Sequence, residues 1–361
     1  KNQDSLRSIG ILPEVNDRSI ITLLAWPLEQ NNGLNDFGYH GIANNVDQDA
    51  TYPDMILDYN CGSRTYDLAS GYNHKGTDIF TWPFSWYKME HDQVKVVAAA
   101  AGIIVYKSDG NFDRNCSFNS LDWNSVDIQH ADGSIAWYGH MKNGSLTNKT
   151  VGESVEVGEF LGIVGSSGSS TAPHLHFEVY EPGGALIDPY AGPCNSLNSE
   201  SWWIEQRPYF DSGLNALRTQ SGPPVFPACP QLEIPNEKNQ FCIGDGVYYA
   251  AYFRDQLAGQ QVDYKVLRPN NSVYLQWDQT FDTFYPASYW YWYDAIPASA
   301  STGKWTFQAT FLGGVFEKYF DVNGSTHIAA SGNTTICEGE EITLTAPASQ
   351  YGFLYQWKKN G

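Results

Sequence analysis

Polar and apolar residues alternate along much of the chain with a period of two, the spacing that gives a β-strand one face for a core and one for water. Such runs occupy residues 94–106, 126–130, 135–140, 160–164, 174–180 and 305–311. Asp132-Gly133 between the second and third runs marks a hairpin turn. A period near 3.6 is sustained only over residues 201–217, so the pattern predicts a helix there and strands almost everywhere else. The Pro-rich run at 221–227 can continue neither a helix nor a central strand and reads as a linker, and a second break falls near Asn323-Gly324-Ser325. The expected class is mostly β. A first antiparallel β domain with an N-terminal extension spans 1–222, a β-sandwich of immunoglobulin-like size spans 229–322, and a further immunoglobulin-like module begins at 325 and is truncated at 361. In that last stretch Cys337 and Trp357 are spaced like the B and C strands of an immunoglobulin-like domain, so Cys337 is expected to lack its partner here.

Composition narrows the class. Hydrophobic residues make up 42% and aromatics 15% of 361 residues, too many order-promoting side chains for a disordered chain. No stretch approaches the roughly 18 to 20 consecutive apolar residues of a membrane span. A net charge of -19 repels polyphosphate and argues against nucleic acid or an acidic membrane as partner. Residues 1–220 carry 13 basic against 27 acidic side chains, which is -14 of that excess. Six Cys without a CxxC pair do not suit a zinc finger, and favour disulfides and an extracellular address. The chain starts at Lys1 with no apolar signal segment, the expectation for a mature or truncated product.

Candidate chemistry lies in the eight histidines, at 40, 74, 91, 130, 140, 174, 176 and 327. In Pro173-His174-Leu175-His176-Phe177-Glu178 the two imidazoles share one face of a strand, close enough to serve one metal and one reacting water. Alone, such a pair reads equally well as two histidines satisfied on a polar strand face. Asn73-His74-Lys75-Gly76-Thr77-Asp78 adds an imidazole and a carboxylate, ligands that catalytic zinc takes when it keeps one position open. Trp137-Tyr138-Gly139-His140 places a further His at a strand end. No His-Glu-x-x-His is present.

In this order these residues resemble the lysostaphin/LytM-type zinc metallopeptidases, the M23 family of peptidoglycan endopeptidases, over roughly residues 26–189. The matching motifs are His-x-Gly-x-Asp at 74–78, the strand at 96–105, Gln129-His130-Ala131-Asp132-Gly133, Tyr138-Gly139-His140, the turn at 155–158, Leu161-Gly162-Ile163-Val164-Gly165, and the His-x-His segment. The resemblance implies about one Zn²⁺ per chain, held by His74, Asp78 and His176, with His140 and His174 as the catalytic pair. Which of the two acts as base and which stabilises the tetrahedral intermediate stays open. His130 matches a recurrent non-ligand histidine of the family and is expected to be structural or to support the site from behind; Glu178 is expected to be a strand residue or a partner of the ligands.

The implied function is a secreted or surface-exposed bacterial endopeptidase that cuts peptidoglycan cross-bridges or stem peptides through a zinc-activated water. One alternative keeps the enzyme and changes the target to Gly-rich or elastin-like extracellular protein. Another is a non-enzymatic wall-binding protein or adhesin with a degenerate peptidase domain, against which the intact set of five residues stands. The aromatic insertion at 82–90 and the long segment before His74 depart from the family pattern, and are expected either to wall the substrate site or to cover a sheet edge. In Tyr289-Trp290-Tyr291-Trp292-Tyr293 the Tyr and Trp side chains point to opposite faces. The favoured reading puts one face in the sandwich core and one at a domain interface, and the alternative is a sugar-stacking surface.

Overall fold

The computed structural model describes residues 11, 22–324, 329–330 and 343–345. The strands of the first module are β1 (Leu28–Gln30), β2 (His40–Asn44), β3 (Thr77–Thr81), β4 (Val94–Val97), β5 (Gly102–Ser108), β6 (Ser125–Gln129), β7 (Ile135–Gly139), β8 (Ser154–Val155), β9 (Phe160–Ile163), β10 (His174–Tyr180) and β11 (Leu186–Ile187). Those of the second are β12 (Gly213–Gln220), β13 (Gln240–Cys242), β14 (Gly246–Gln256), β15 (Gln261–Leu267), β16 (Val273–Thr280), β17 (Tyr285–Ala295), β18 (Gly303–Phe311) and β19 (Gly314–Asn323). Beyond them β20 (Ala329–Ala330) pairs with β21 (Leu344–Thr345). Cys337, Trp357 and most of the expected third module lie outside the described residues. The only helix among the described residues is α1 (Ser85–Glu90), and no helix is long and apolar enough to cross a membrane.

In the first module one antiparallel sheet runs β2-β3-β10-β7-β6-β5-β8, with β11 beside β10, and a smaller sheet runs β1-β4-β9. Period-two alternation decides which face does what. Leu175, Phe177 and Val179 of β10, Ala136 and Tyr138 of β7, and Val126 and Ile128 of β6 are fully buried in one cluster with Val94, Val96 and Leu161 from the smaller sheet. Each large apolar side chain removed from water there contributes about 1.5–3 kcal/mol. Burying that face obliges His174, His176, Glu178 and Tyr180 to share the opposite one. The run expected as one strand over 94–106 is two strands on different sheets, broken at the buried Ala98, Ala99 and Ala100, whose small side chains let the chain cross the core.

The helix expected over 201–217 does not form. Trp202 and Trp203 anchor in the core of the first module, whereas Leu214 and Leu217 belong to β12 and to the core of the second. A register shift between Leu214 and Ala216 breaks the strand alternation, so two unrelated burial sites combined into an apparent helical period. β12 precedes the Pro-rich run yet pairs with β14, so these residues belong to the sheet that follows that run.

The second module stacks the sheet β12-β14-β17 on the sheet β13-β19-β18-β15-β16 around Leu217, Phe253, Tyr264, Trp305 and Phe307. The modules meet along the outer face of β12 and β14. Phe84, at the start of the aromatic insertion, packs with Ala216, Ala250 and Tyr252 and, in part, Trp82, Tyr87 and Phe226. Glu233 accepts the backbone N–H groups of Trp86 and Tyr87, supplying partners that the first turn of α1 lacks. Lys88, 1% exposed, pairs with Asp36 at 2.6 Å, and Arg218 pairs with the same carboxylate. Two disulfides form, Cys61–Cys194 and Cys116–Cys229, the second joining the modules.

Candidate metal centre

Strand register assembles the site. β3 and β10 are neighbours with Asp78 opposite His176, and β7 lies on the other side of β10 with Gly139 opposite His176. His74 precedes β3, its backbone tied by N–H to the Tyr66 carbonyl and by C=O to the Asp47 N–H. His140 follows β7 with φ 61°, a left-handed conformation that costs a non-glycine residue about 1–2 kcal/mol. A bulge in β2 between Ile42 and Asn44 brings Asn44 beside Asp78, where its Nδ2 donates to Oδ2 at 2.9 Å.

One donor atom each from His74, Asp78 and His176 lies within 4.8 Å of the others, a group able to hold a metal ion. His74 Nε2 is 3.1 Å from Asp78 Oδ2 and 3.2 Å from His176 Nδ1, and His176 Nδ1 is 2.7 Å from Asp78 Oδ1. The remaining ring nitrogens are engaged from behind. His74 Nδ1 donates to the Asn45 carbonyl at 2.7 Å, and His176 Nε2 meets Glu178 Oε1 at 2.7 Å. The second Glu178 oxygen accepts from the Tyr180 hydroxyl. Two imidazoles oriented by a carbonyl and a carboxylate, with one ligand carboxylate, are a donor set that fits Zn²⁺.

His140 and His174 flank this group, their ring centroids 4.5 Å apart. His140 Nδ1 donates to the Ser167 carbonyl at 2.6 Å and His174 Nδ1 to the Ala172 carbonyl at 2.8 Å. Because a carbonyl only accepts, both rings keep the proton on Nδ1 and leave Nε2 as the acceptor. His174 Nε2 is 3.5 Å from Asp78 Oδ1. Burial, followed by the neighbouring His174 and His176, holds His140 well below the usual histidine range. Burial opposes ionisation of Asp78, but His74 and His174 outweigh it and hold its carboxyl well below the usual range.

The group opens into a cleft of about 450 Å³ walled by Tyr66, Leu68, Tyr72, Phe118, Leu121 and Trp123. Tyr66 stacks obliquely on His74, and Trp123 meets His140 edge-on. The long segment before His74 therefore does wall the site. The insertion at 82–90 does not, because its aromatics are used at the contact between modules. Trp123, Asn45 and Ser167 were not singled out in the sequence. Trp123 sits in an irregular loop without periodicity, and the other two act through backbone carbonyls that carry no side-chain signature. The five expected residues His74, Asp78, His140, His174 and His176 come together. His130 does not join them: it lies at the other end of the β6–β7 hairpin, its Nδ1 donating to the Ala101 carbonyl at 2.9 Å. His40 and His91 are also elsewhere, against Asp211 and the Tyr87 carbonyl.

Residues 72–189 match Peptidase family M23. The cell division protein DipM of Caulobacter vibrioides is 30% identical over 117 residues, covering 32% of this chain and 17% of that protein. The DD-carboxypeptidase/endopeptidase Mpg of Neisseria meningitidis serogroup B is 39% identical over 83 residues, covering 23% and 16%. The chain thus spans about a sixth of the length of these curated relatives. The catalytic domain of lysostaphin from Staphylococcus simulans aligns at 29% identity over 35% of this chain and 83% of that one, with a TM-score of 0.26.

Proposed function

Starting from a peptidase family M23 domain at residues 72–189, we propose that the protein is a secreted zinc-dependent endopeptidase that cuts the peptide part of peptidoglycan. One observation carries the reading: three convergent donor atoms beside two imidazoles whose Nε2 atoms are free to exchange a proton. His74, Asp78 and His176 would hold the ion, which when bound supplies Lewis-acid polarisation and an acidified water. One of His140 and His174 would accept a proton at Nε2 from the attacking water and return it to the leaving amine, and the other, when protonated at Nε2, would hold charge developing on the carbonyl oxygen. The Ser167 and Ala172 carbonyls keep both rings in the tautomer this requires. Tyr66, Tyr72, Phe118 and Trp123 flank an extended peptide and exclude water around it. The name of the Neisseria relative, a DD-carboxypeptidase/endopeptidase, supports a peptide with D-residues, as in the wall, as substrate. Two disulfides support an oxidising compartment.

The second module is read as immunoglobulin-like. Its strand orders, β12-β14-β17 and β16-β15-β18-β19, correspond to A-B-E and C′-C-F-G, with β13 added in parallel beside β19.

The test is metal analysis of the folded protein, followed by mass spectrometry of fragments released from purified peptidoglycans of several cross-bridge types, with a Gly-rich protein alongside. The expected result is about one Zn²⁺ per chain and new peptide termini that disappear with chelator. Folded protein that binds no zinc and releases nothing sinks the enzyme; cleavage of the Gly-rich protein alone moves the substrate outside the wall.

A further inference from the structure

The tyrosines of β17 form a flat, open strip that neither the sandwich core nor the module contact uses up. Alternation sends Trp290 and Trp292 inward against the core and Tyr289, Tyr291 and Tyr293 outward. β17 is the edge strand of its sheet. The Tyr289 and Tyr291 rings are 10° from parallel with centroids 6.4 Å apart, and Tyr248 of β14 packs against Tyr291 and Tyr293 at 6.1 and 5.0 Å. Tyr293 lies across Gly246, where an added Cβ would sit 2.6 Å from the ring, so glycine at that position lets the phenol lie down on the sheet. At one end the strip continues through Tyr289, Phe226 and Trp82, at 4.8 and 5.6 Å, into the peptidase module.

We propose that this strip binds a chain of neutral pyranose rings, the glycan strand of the wall where stem peptides amidate its lactyl carboxyls, by stacking sugar faces on Tyr289, Tyr291 and Tyr293. The choice of a glycan rests on the wall reading given above, and the geometry separates it from a protein partner. The three tyrosines are 38%, 46% and 60% exposed, leaving on the order of 300 Å² open at about 200 Å² per ring. A stable protein interface needs about 800 Å² per partner, whereas a linear saccharide needs a strip only one side chain wide. The strip is also uncharged. Its same-face neighbours on β14 and β17 are Gly246, Tyr248, Ala250, Tyr252, Ala287 and Ala295; the guanidinium of Arg254 opposite Ala287 is engaged by Asp211, and that of Arg218 beside Ala250 by Asp36 and Glu237. An uncharged strip on a chain of net charge -19 favours a ligand without ionised groups over a charged one.

Oligosaccharides of β-1,4-linked N-acetylglucosamine test this with the full zinc-loaded chain, because they carry no ionised group and contain no bond the peptidase would cut. By calorimetry or co-sedimentation, Tyr291→Ala/Tyr293→Ala should bind roughly tenfold or more weakly. Tyr291→Phe/Tyr293→Phe, which keeps the rings, should stay within about threefold. Melting temperature, zinc content and hydrolysis of a soluble wall peptide should match wild type in both. Equal binding by wild type and the alanine variant, or no binding by wild type, overturns the proposal, as does self-association of the chain that the same substitutions abolish. Glycan binding by a protein that cuts no wall peptide keeps this inference and removes the peptidase reading instead.

Discussion

A ring nitrogen bound to a backbone carbonyl fixes where the other nitrogen's lone pair points, and this separates the five site residues into two kinds. His140 and His174 bind a backbone carbonyl through Nδ1 and keep Nε2 as the acceptor, whereas His74 and His176 turn one nitrogen to Asp78 and anchor the other on Asn45 and Glu178. His140→Ala should therefore lower kcat by about 10²–10⁴-fold while leaving zinc bound, and His176→Ala should lose both metal and turnover. Glu178→Ala should weaken zinc affinity by roughly 10–100-fold, read by chelator competition. Full turnover in His140→Ala would remove that residue from proton transfer. These five positions are legible in the sequence because strand period forces His174 and His176 onto one face and the remaining motifs are short and local. The carbonyls of Asn45 and Ser167, which set two of the tautomers, come from chain segments whose proximity only the fold creates, and that of Ala172, although two residues from His174, is a backbone group without a side-chain signature.

Strands with one buried face were readable, as β6, β7, β9, β10 and β18 show, because alternation and core burial are the same fact. Where burial alternates between two cores, as from Trp202 to Leu217, the pattern misleads. The loop between β5 and β6 had no pattern at all, yet it supplies Phe118 and Trp123 to the cleft. What holds that loop is covalent and local. Cys116 bonds Cys229, 113 residues on, Ser117 bridges Ser170, and Asn115 donates from its backbone to the Ser166 carbonyl. Cys116→Ser/Cys229→Ser should cost about 2–4 kcal/mol of stability. Because the freed loop is a cleft wall and contributes no metal ligand, KM should rise while zinc content stays. A variant whose melting temperature falls with KM unchanged would show that the bond stabilises the fold without shaping the cleft.

At the scale of the molecule the two modules share a contact with a charged centre. Asp36, its side chain fully buried, faces the ammonium of Lys88 and the guanidinium of Arg218 across the module boundary, and these two cations sit on the elements that carry the apolar contact of Phe84, Ala216, Ala250 and Tyr252. Burial pushes the Lys88 ammonium down and the Asp36 carboxylate works against it. Removing that carboxylate leaves two buried cations facing each other, with Arg218 still held by Glu237 and Lys88 left with the field of Glu233 and no ion-pair contact. Breaking a buried pair in this way typically costs about 3–5 kcal/mol, whereas replacing both partners with apolar residues is often neutral. Asp36→Asn should therefore split the calorimetric unfolding of the whole chain into two transitions, with zinc content unchanged because no ligand lies on this surface. Asp36→Leu/Lys88→Met should restore a single transition near the wild-type temperature. If Asp36→Asn melts as wild type does, the charged centre contributes nothing, and the aromatic contact through Phe84 and Tyr252 holds the modules together with the Cys116–Cys229 bond.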